Sequence, residues 1–348
     1  MNLIITYKNA LFDAGSQRQA VATSKNHMIP TQPVTEDLLS GYLLDCKTRG
    51  MQSHTCETYT SNLKYFLKYL SEHHHESNPT KITEDILKAF LVHIRDEKRY
   101  SKSTINGYFA CIFGFHEFLL YRKIITHNPV APFRKRYMSL LKYRKGDTKE
   151  GCSRQFISIE DMARLIKAAE KKRHIVMPYR DACINIMLAK TGIRRTEAIN
   201  LDITDVDLEK KQLTIKPHPK RQNCLAFFDD EVKHYLELYL PHRHPDKPAL
   251  FQTRFGYRLD RTHFLQAITF PAKSIGLHNP NGKLNQKFTP HNHRHWYTSV
   301  LRGATPPVDA VHIKWLRGDV LSEAWNIYDH IDPGKIRKEY DRAMPRLF

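Results

Sequence analysis

From Val34 to about Arg122, apolar residues return at three- and four-residue steps, the spacing that lines one face of a helix. Four helices are predicted there. The first opens at Thr35 as an N-cap and carries Leu38, Leu39, Tyr42 and Leu43 on one face. The second carries Tyr59, Leu63, Phe66, Leu67 and Leu70. The third follows the cap Thr83-Glu84-Asp85 with Ile86, Leu87, Phe90, Leu91 and Ile94. The fourth follows Ser103 with Ile105, Tyr108, Phe109, Ile112, His116 and Leu119, so His116 reads as a core or boundary residue. Residues 1–33 have no sustained period and are expected to form a flexible arm, followed by a four-helix bundle over 34–132. His127-Asn128-Pro129 and Pro132 then break the pattern.

A second domain is expected over 157–348. Ser158 caps a helix with Met162, Leu165, Ile166 and Ala169 facing inward. A buried helix from about 180 to 190 ends in a Thr191-Gly192 turn, and a short helix begins at Arg195. Gln212 to Lys216 and Cys224 to Phe228 read as two strands around the turn Pro217-His218-Pro219-Lys220-Arg221. Helices follow at about 230–240, 261–276 and 291–303. The fold class is therefore mainly α: an N-terminal four-helix bundle, then an α-helical domain with a small antiparallel β-sheet.

Length and charge narrow the function. The 348 residues suffice for two domains, and a net charge of +19 calls for a polyanionic partner. A membrane partner is disfavoured by the lack of a run of about 18 apolar residues and of a basic-then-apolar leader. That points to nucleic acid in the cytoplasm, associated with the nucleoid. Residues 133–156 read as a basic linker, in which Arg134, Lys135, Arg136, Lys142, Arg144 and Lys145 are candidate phosphate contacts. The 6 cysteines lack any C-x-x-C pair and read as free thiols. His73-His74-His75 reads as a solvated helix end, and His242-x-His244 as a loop pair without chemistry.

Four pieces of the second domain resemble, in order and spacing, the catalytic boxes of the tyrosine recombinase (phage integrase) family. Thr191-Gly192-Ile193-Arg194-Arg195-Thr196-Glu197 is similar to the first arginine box, and the hairpin stands where the family places a lysine. Thr289-Pro290-His291-Asn292-His293-Arg294 resembles the H-x-x-R box, and Asp319 to Tyr328 the terminal tyrosine box. The resemblance implies that the bundle is a core-binding domain and that the protein cleaves and rejoins DNA through a 3′-phosphotyrosine, with Tyr328 as nucleophile. It implies a homo-tetramer on a specific duplex site, and neither a cofactor, a metal nor ATP.

The chemistry explains the residue types. Attack on a phosphodiester spreads negative charge over its non-bridging oxygens, and two guanidiniums, Arg194 and Arg294, can clamp them. That replaces the stabilisation a Mg²⁺ ion would give. A tyrosine hydroxyl has a pKa near 10 and needs activation, for which the resemblance assigns His291. Glu197 is expected to orient an arginine or His291, and His291-x-His293-x-His295 reads as a catalytic box, not a metal site.

Two positions depart from the pattern. His218 falls where the family's lysine usually lies, so Lys220 is favoured as the acid for the leaving 5′ oxygen, with Lys216 the alternative; Lys216 and Arg221 are also candidate DNA contacts. Asp319 stands nine positions before Tyr328, where the family has His or Trp, and is expected to brace an arginine. The surroundings of Asp319 resemble archaeal members of the family. Residues 333–348 are expected to dock on a neighbouring protomer, as such tails do in the family, or else to pack in cis. The rival readings are a type IB topoisomerase, which relaxes supercoils without exchanging partners, and a non-catalytic DNA-binding accessory protein.

Overall fold

The computed structural model describes residues 33–74, 78–139, 154–170, 177, 179–218, 221–320 and 332–348. The chain divides into two compact units, Met1–Arg144 and Lys145–Phe348.

The first unit is helical throughout its described part. Helices α1 (Pro33–Thr48), α2 (Ser53–His74), α3 (Glu84–Val92) and α4 (Lys102–Tyr121) bury one apolar face each around Tyr42, Phe66, Phe90, Phe109 and Phe115. Thr83 caps α3 by accepting from the Ile86 amide at 3.3 Å, as its place before the apolar run predicts. The fourth helix starts earlier than its apolar pattern suggests, because Ser101, not Ser103, accepts from the Thr104 amide at 3.2 Å. His116 is buried on α4, its Nδ1 2.8 Å from the Ile112 carbonyl, and burial depresses its pKa. The breaker at Pro129 does not end the unit. A short helix, α5 (Val130–Phe133), runs into a π-helical turn, Arg134–Met138. Phe133 stacks on Phe109 with centroids 5.2 Å apart, and Met138 is buried too. Phe133 and Met138 thus belong to this unit's core, where two apolar side chains outweigh three neighbouring charges.

The second unit is built on α7 (Arg180–Thr191), every residue of which except Asp181 is buried. Helices α6 (Ile159–Glu170), α9 (Asp230–Tyr239) and α11 (Pro290–Gly303) pack against it. Between them run α8 (Arg195–Asn200) and a three-stranded antiparallel sheet, β1 (Val206–Asp207), β2 (Gln212–Thr214) and β3 (Leu225–Phe227). The β2–β3 register pairs Leu213 with Ala226. Strand β1 is too short to show alternation, which is why the sequence pattern yields only two strands. Helices α10 (Arg261–Ser274), α12 (Ala310–Leu316) and α13 (Pro333–Ala343) complete the unit.

In the single chain the tail packs in cis, the second of the two expectations for it. Ile336 and Tyr340 on α13 are fully buried in the second unit's own core. Each such side chain stabilises by about 1.5–3 kcal/mol. The Tyr340 hydroxyl donates to the Lys190 carbonyl at 3.0 Å, and the buried Lys190 ammonium donates to Asp229, Glu231 and the Pro345 carbonyl. The Leu347 and Phe348 amides donate to Glu231 at 2.9 and 2.7 Å. The arm over 1–32, Cys152 and His75 lie outside the described residues.

Candidate active site

The site begins where α7 ends. Gly192 stops the helix with φ +61°, a conformation costly for other residues, and a Cβ there would lie 2.5 Å from the Tyr297 ring. The reversal hands the chain to Arg194, the N-cap of α8. Its amide donates to Glu197 Oε2 at 2.7 Å and its Nη1 to Glu197 Oε1 at 2.9 Å. An acid one turn into a helix satisfies an otherwise orphaned amide and favours the positive helix end. Here it also fixes one side of a guanidinium.

Helix α11 supplies the second arginine. Thr289 and Asn292 close its first turn, the Thr289 amide donating to Asn292 Oδ1 at 3.0 Å. From the second turn Arg294 reaches back, its Nη1 donating to the carbonyls of Gly192 (2.6 Å) and Arg317 (2.9 Å). Arg294 is buried, and that burial pushes its pKa down to about 10. The Nη2 groups of both arginines converge on a single oxygen, Asp319 Oδ1, at 2.7 Å from Arg194 and also hydrogen-bonded from Arg294. Arg317 Nε stands 3.2 Å from the other oxygen, Oδ2. Asp319 therefore touches three guanidiniums.

A fourth arginine stands behind these. Arg221 donates to Glu197 Oε2 at 3.1 Å, to the Asn223 carbonyl at 2.6 Å and to the Leu225 carbonyl at 2.9 Å. Its side chain is 1% exposed, and burial lowers its pKa. Gly318, with φ +67°, passes so close that a Cβ would sit 2.5 Å from the guanidinium. Arg221 as a DNA contact is therefore corrected: its donors are spent on protein acceptors and it ties the hairpin to the Gly318 turn.

His291 and His295 lie four residues apart on α11, so they share one face, with ring centroids 4.9 Å apart. His293, between them in sequence, points the other way; it is fully buried, with Nε2 3.1 Å from Asn185 Oδ1. The triplet therefore cannot converge on one ion, and among the described residues no three His, Cys, Asp or Glu side chains gather as a metal site requires. His291, Arg294, His295, Ser299, Arg302 and Arg317 line a groove of about 270 Å³. Burial, then the charges of Arg154, His295, Arg294 and Arg317, push the His291 pKa down to about 4. Burial and the same Arg154 lower that of His295. Both imidazoles are neutral at pH 7 and can accept a proton.

Two contributors were hidden in the sequence pattern. Arg154 reads as the last member of a basic run, yet its Nη1 donates to Thr289 at 3.1 Å and Asn292 at 3.4 Å, beside His291. Arg317 has no periodic signature at all. Of the hairpin lysines, Lys216 bonds Asp202 Oδ2 at 2.5 Å and is half-exposed. Lys220 and Tyr328 lie outside the described residues, as do Lys142, Arg144 and Lys145. Lys135 and Arg136 are exposed on the first unit, and Arg134 lies over the Phe113 ring at 4.9 Å.

Among Arg194, Arg221, Arg294, Arg317, Glu197 and Asp319, positive charge exceeds negative by two. A preorganised cationic centre with neutral imidazoles at its edge suits an oxyanion on which charge builds during reaction.

Comparison with known proteins gives a consistent result. Residues 155–333 match the Phage integrase family, and residues 39–123 match the family described as phage integrase, N-terminal SAM-like domain. The chain is 24% identical over 307 residues to a tyrosine recombinase XerD of Oceanobacillus iheyensis, an alignment spanning 86% of this chain and 94% of that protein. In fold it is similar to a lambda integrase dimer bound to a COC′ core site, with TM-score 0.62, 16% identity, and 86% and 98% of the two chains covered. It is also similar to the XerH site-specific recombinase bound to difH substrate, with TM-score 0.58, 19% identity, and 86% and 83% covered.

Proposed function

The chain belongs to the phage integrase family, and from that premise we infer that it is a site-specific DNA recombinase of the tyrosine type. It cleaves and rejoins duplex DNA through a 3′-phosphotyrosine. The observation that supports this most strongly is the meeting of the Arg194 and Arg294 Nη2 groups on one oxygen, each guanidinium being held from behind by protein acceptors.

In this reading Arg194 and Arg294 bind the non-bridging oxygens of the scissile phosphate, and their hold tightens as charge builds there. Tyr328 attacks phosphorus. His291, neutral at pH 7, takes the phenolic proton. Lys220 gives a proton to the departing 5′ oxygen, a role for which Lys216, committed to Asp202, is less suited. Glu197 is a positioning residue that holds Arg194 and the hairpin arginine Arg221. The phosphotyrosine conserves the bond energy, so rejoining requires no ATP.

The helical unit over 34–132 serves as the core-binding four-helix domain, with Lys135, Arg136 and the basic residues after them along the phosphate backbone. A homo-tetramer on its recombination site, associated with the nucleoid, completes the proposal. The Leu316 to Asp319 stretch, similar to archaeal members, marks it as a variant of the family pattern.

The test is covalent trapping on a nicked, labelled duplex that carries the recombination site. Wild type is expected to give a protein–DNA adduct on a denaturing gel and Tyr328→Phe none. Arg194→Ala is expected to slow the adduct by about 10²–10³-fold. An adduct that persists in Tyr328→Phe overturns the assignment of the nucleophile.

A further inference from the structure

The side chain at the heart of the arginine cluster is an anion of the protein itself. Arg194 and Arg294 each use Nη1 on fixed acceptors: Glu197 for the first, the Gly192 and Arg317 carbonyls for the second. Each turns Nη2 toward the same point, and Asp319 Oδ1 occupies that point. A carboxylate oxygen between two guanidiniums has the charge and donor geometry of a phosphate oxygen. A phosphodiester that binds these donors has to displace it, since two anions cannot share them without strong repulsion.

Two further features separate Asp319 from a structural ion-pair partner. Glu197 is 4% exposed, and both its oxygens are engaged by Arg194 and Arg221. Asp319 is 25% exposed, and its Oδ2 already lies 3.2 Å from Arg317 Nε, a second cation on the rim of the groove. It has somewhere to go. Nor does local structure ask for a carboxylate there: Asp319 follows the C-terminal end of α12, where the helix field disfavours negative charge. Its backbone is nevertheless held firmly, by the amide bond to the Lys314 carbonyl at 2.9 Å and by Gly318 packed on Arg221.

We propose that Asp319 is a built-in phosphate surrogate that gates the active site. It holds the two arginines in their working geometry and yields them to DNA by swinging onto Arg317. The proposal rests on the recombinase reading of the site and adds its regulation: the enzyme trades affinity for the scissile phosphate against loose anion binding. A protein of net charge +19 meets many phosphates that are not its target, and a gate that opens only when the whole duplex is seated discriminates among them.

The experiment measures inorganic phosphate binding to the full chain by calorimetry, with adduct formation on the nicked duplex in parallel. Asp319→Asn, Asp319→Ala and Asp319→His are compared with wild type, and Asp319→Asn/Arg294→Ala subtracts phosphate bound elsewhere. The expected result is phosphate affinity about tenfold higher in the single variants that retain the wild-type circular dichroism, with the gain lost in the double variant. Adduct formation at sub-saturating DNA rises with it. Equal or weaker binding in the folded variants overturns the gate. If all three single variants fail to fold, Asp319 is a structural brace and the gate is likewise overturned. An adduct in wild type without the phosphate gain sinks the gate alone. The phosphate gain without any wild-type adduct leaves the gate standing and removes the recombinase reading beneath it.

Discussion

The two units solve the same problem with different interiors. Among the described residues, the first unit buries His93, His116 and Asn128 as its polar side chains, and no lysine, arginine or carboxylate. The second buries Arg180, Lys190, Glu197, Arg221 and Arg294. Its apolar core is no smaller, with α7 enclosed except at Asp181, but that core surrounds an electrostatic skeleton. Buried ion pairs seldom add net stability, because desolvation offsets their attraction. Their presence, among the described residues, in the second unit alone marks where the protein accepts that cost to hold charges at fixed positions. Stability and function are thus differently distributed: the first unit is exposed to cavities, the second to orphaned charges.

The strongest challenge to that contrast is Glu197→Ala. It strips the partner from Arg221, whose side chain is 1% exposed, and should destabilise the second unit by about 3–5 kcal/mol. Chemical denaturation followed by circular dichroism measures it, and a loss below about 1 kcal/mol would mean that Arg221 finds water and the skeleton is dispensable. In the first unit Leu63→Ala should cost about 3 kcal/mol by leaving a cavity among α2's neighbours. Hydrogen exchange should show amides of the first unit opening while those of α7 keep their protection.

A smaller effect probes the electrostatics directly. The His291 ring proton, followed by NMR, should titrate near pH 4, and Arg154→Ala should move the midpoint up toward the ordinary histidine value. The sign for stability follows from the depressed folded value. The unfolded chain takes up this proton first as pH falls below about 6.5, so the contribution is intact above that pH and is lost on the way down to about 4. Arg154→Ala should narrow that window; an unchanged midpoint would show that Arg154 does not act on the ring. The smallest effect belongs to the surface. Lys68→Ala removes an exposed pair with Glu72 at 3.7 Å and should change stability by no more than about 0.5 kcal/mol.

Much of this is legible in the sequence. The stripes of Leu63, Phe66 and Leu70 on α2, and of Phe90 on α3, correspond to buried faces, because helical period and burial are coupled within a few residues. Arg194 and Glu197 were legible for the same reason: their bond spans one turn of chain. Arg154 was not, because its partners Thr289 and Asn292 lie more than a hundred residues away. Arg221 looked like a surface turn residue, and only the arrival of Gly318 and Glu197 encloses it. The tail's spacing of Ile336, Tyr340 and Met344 announced an apolar face without saying whose core it enters; Lys190, Asp229 and Glu231 retain it in the same chain.

By itself, then, the sequence determined the helical character of both halves, the cationic balance and the membership of the phage integrase family, since each is encoded in local spacing or in composition. The tertiary structure alone decided which charges face inward, which protein acceptors hold each arginine, and where Asp319 rests. Those outcomes depend on side chains brought together from distant segments, where desolvation and hydrogen-bond geometry choose among partners that spacing leaves equivalent.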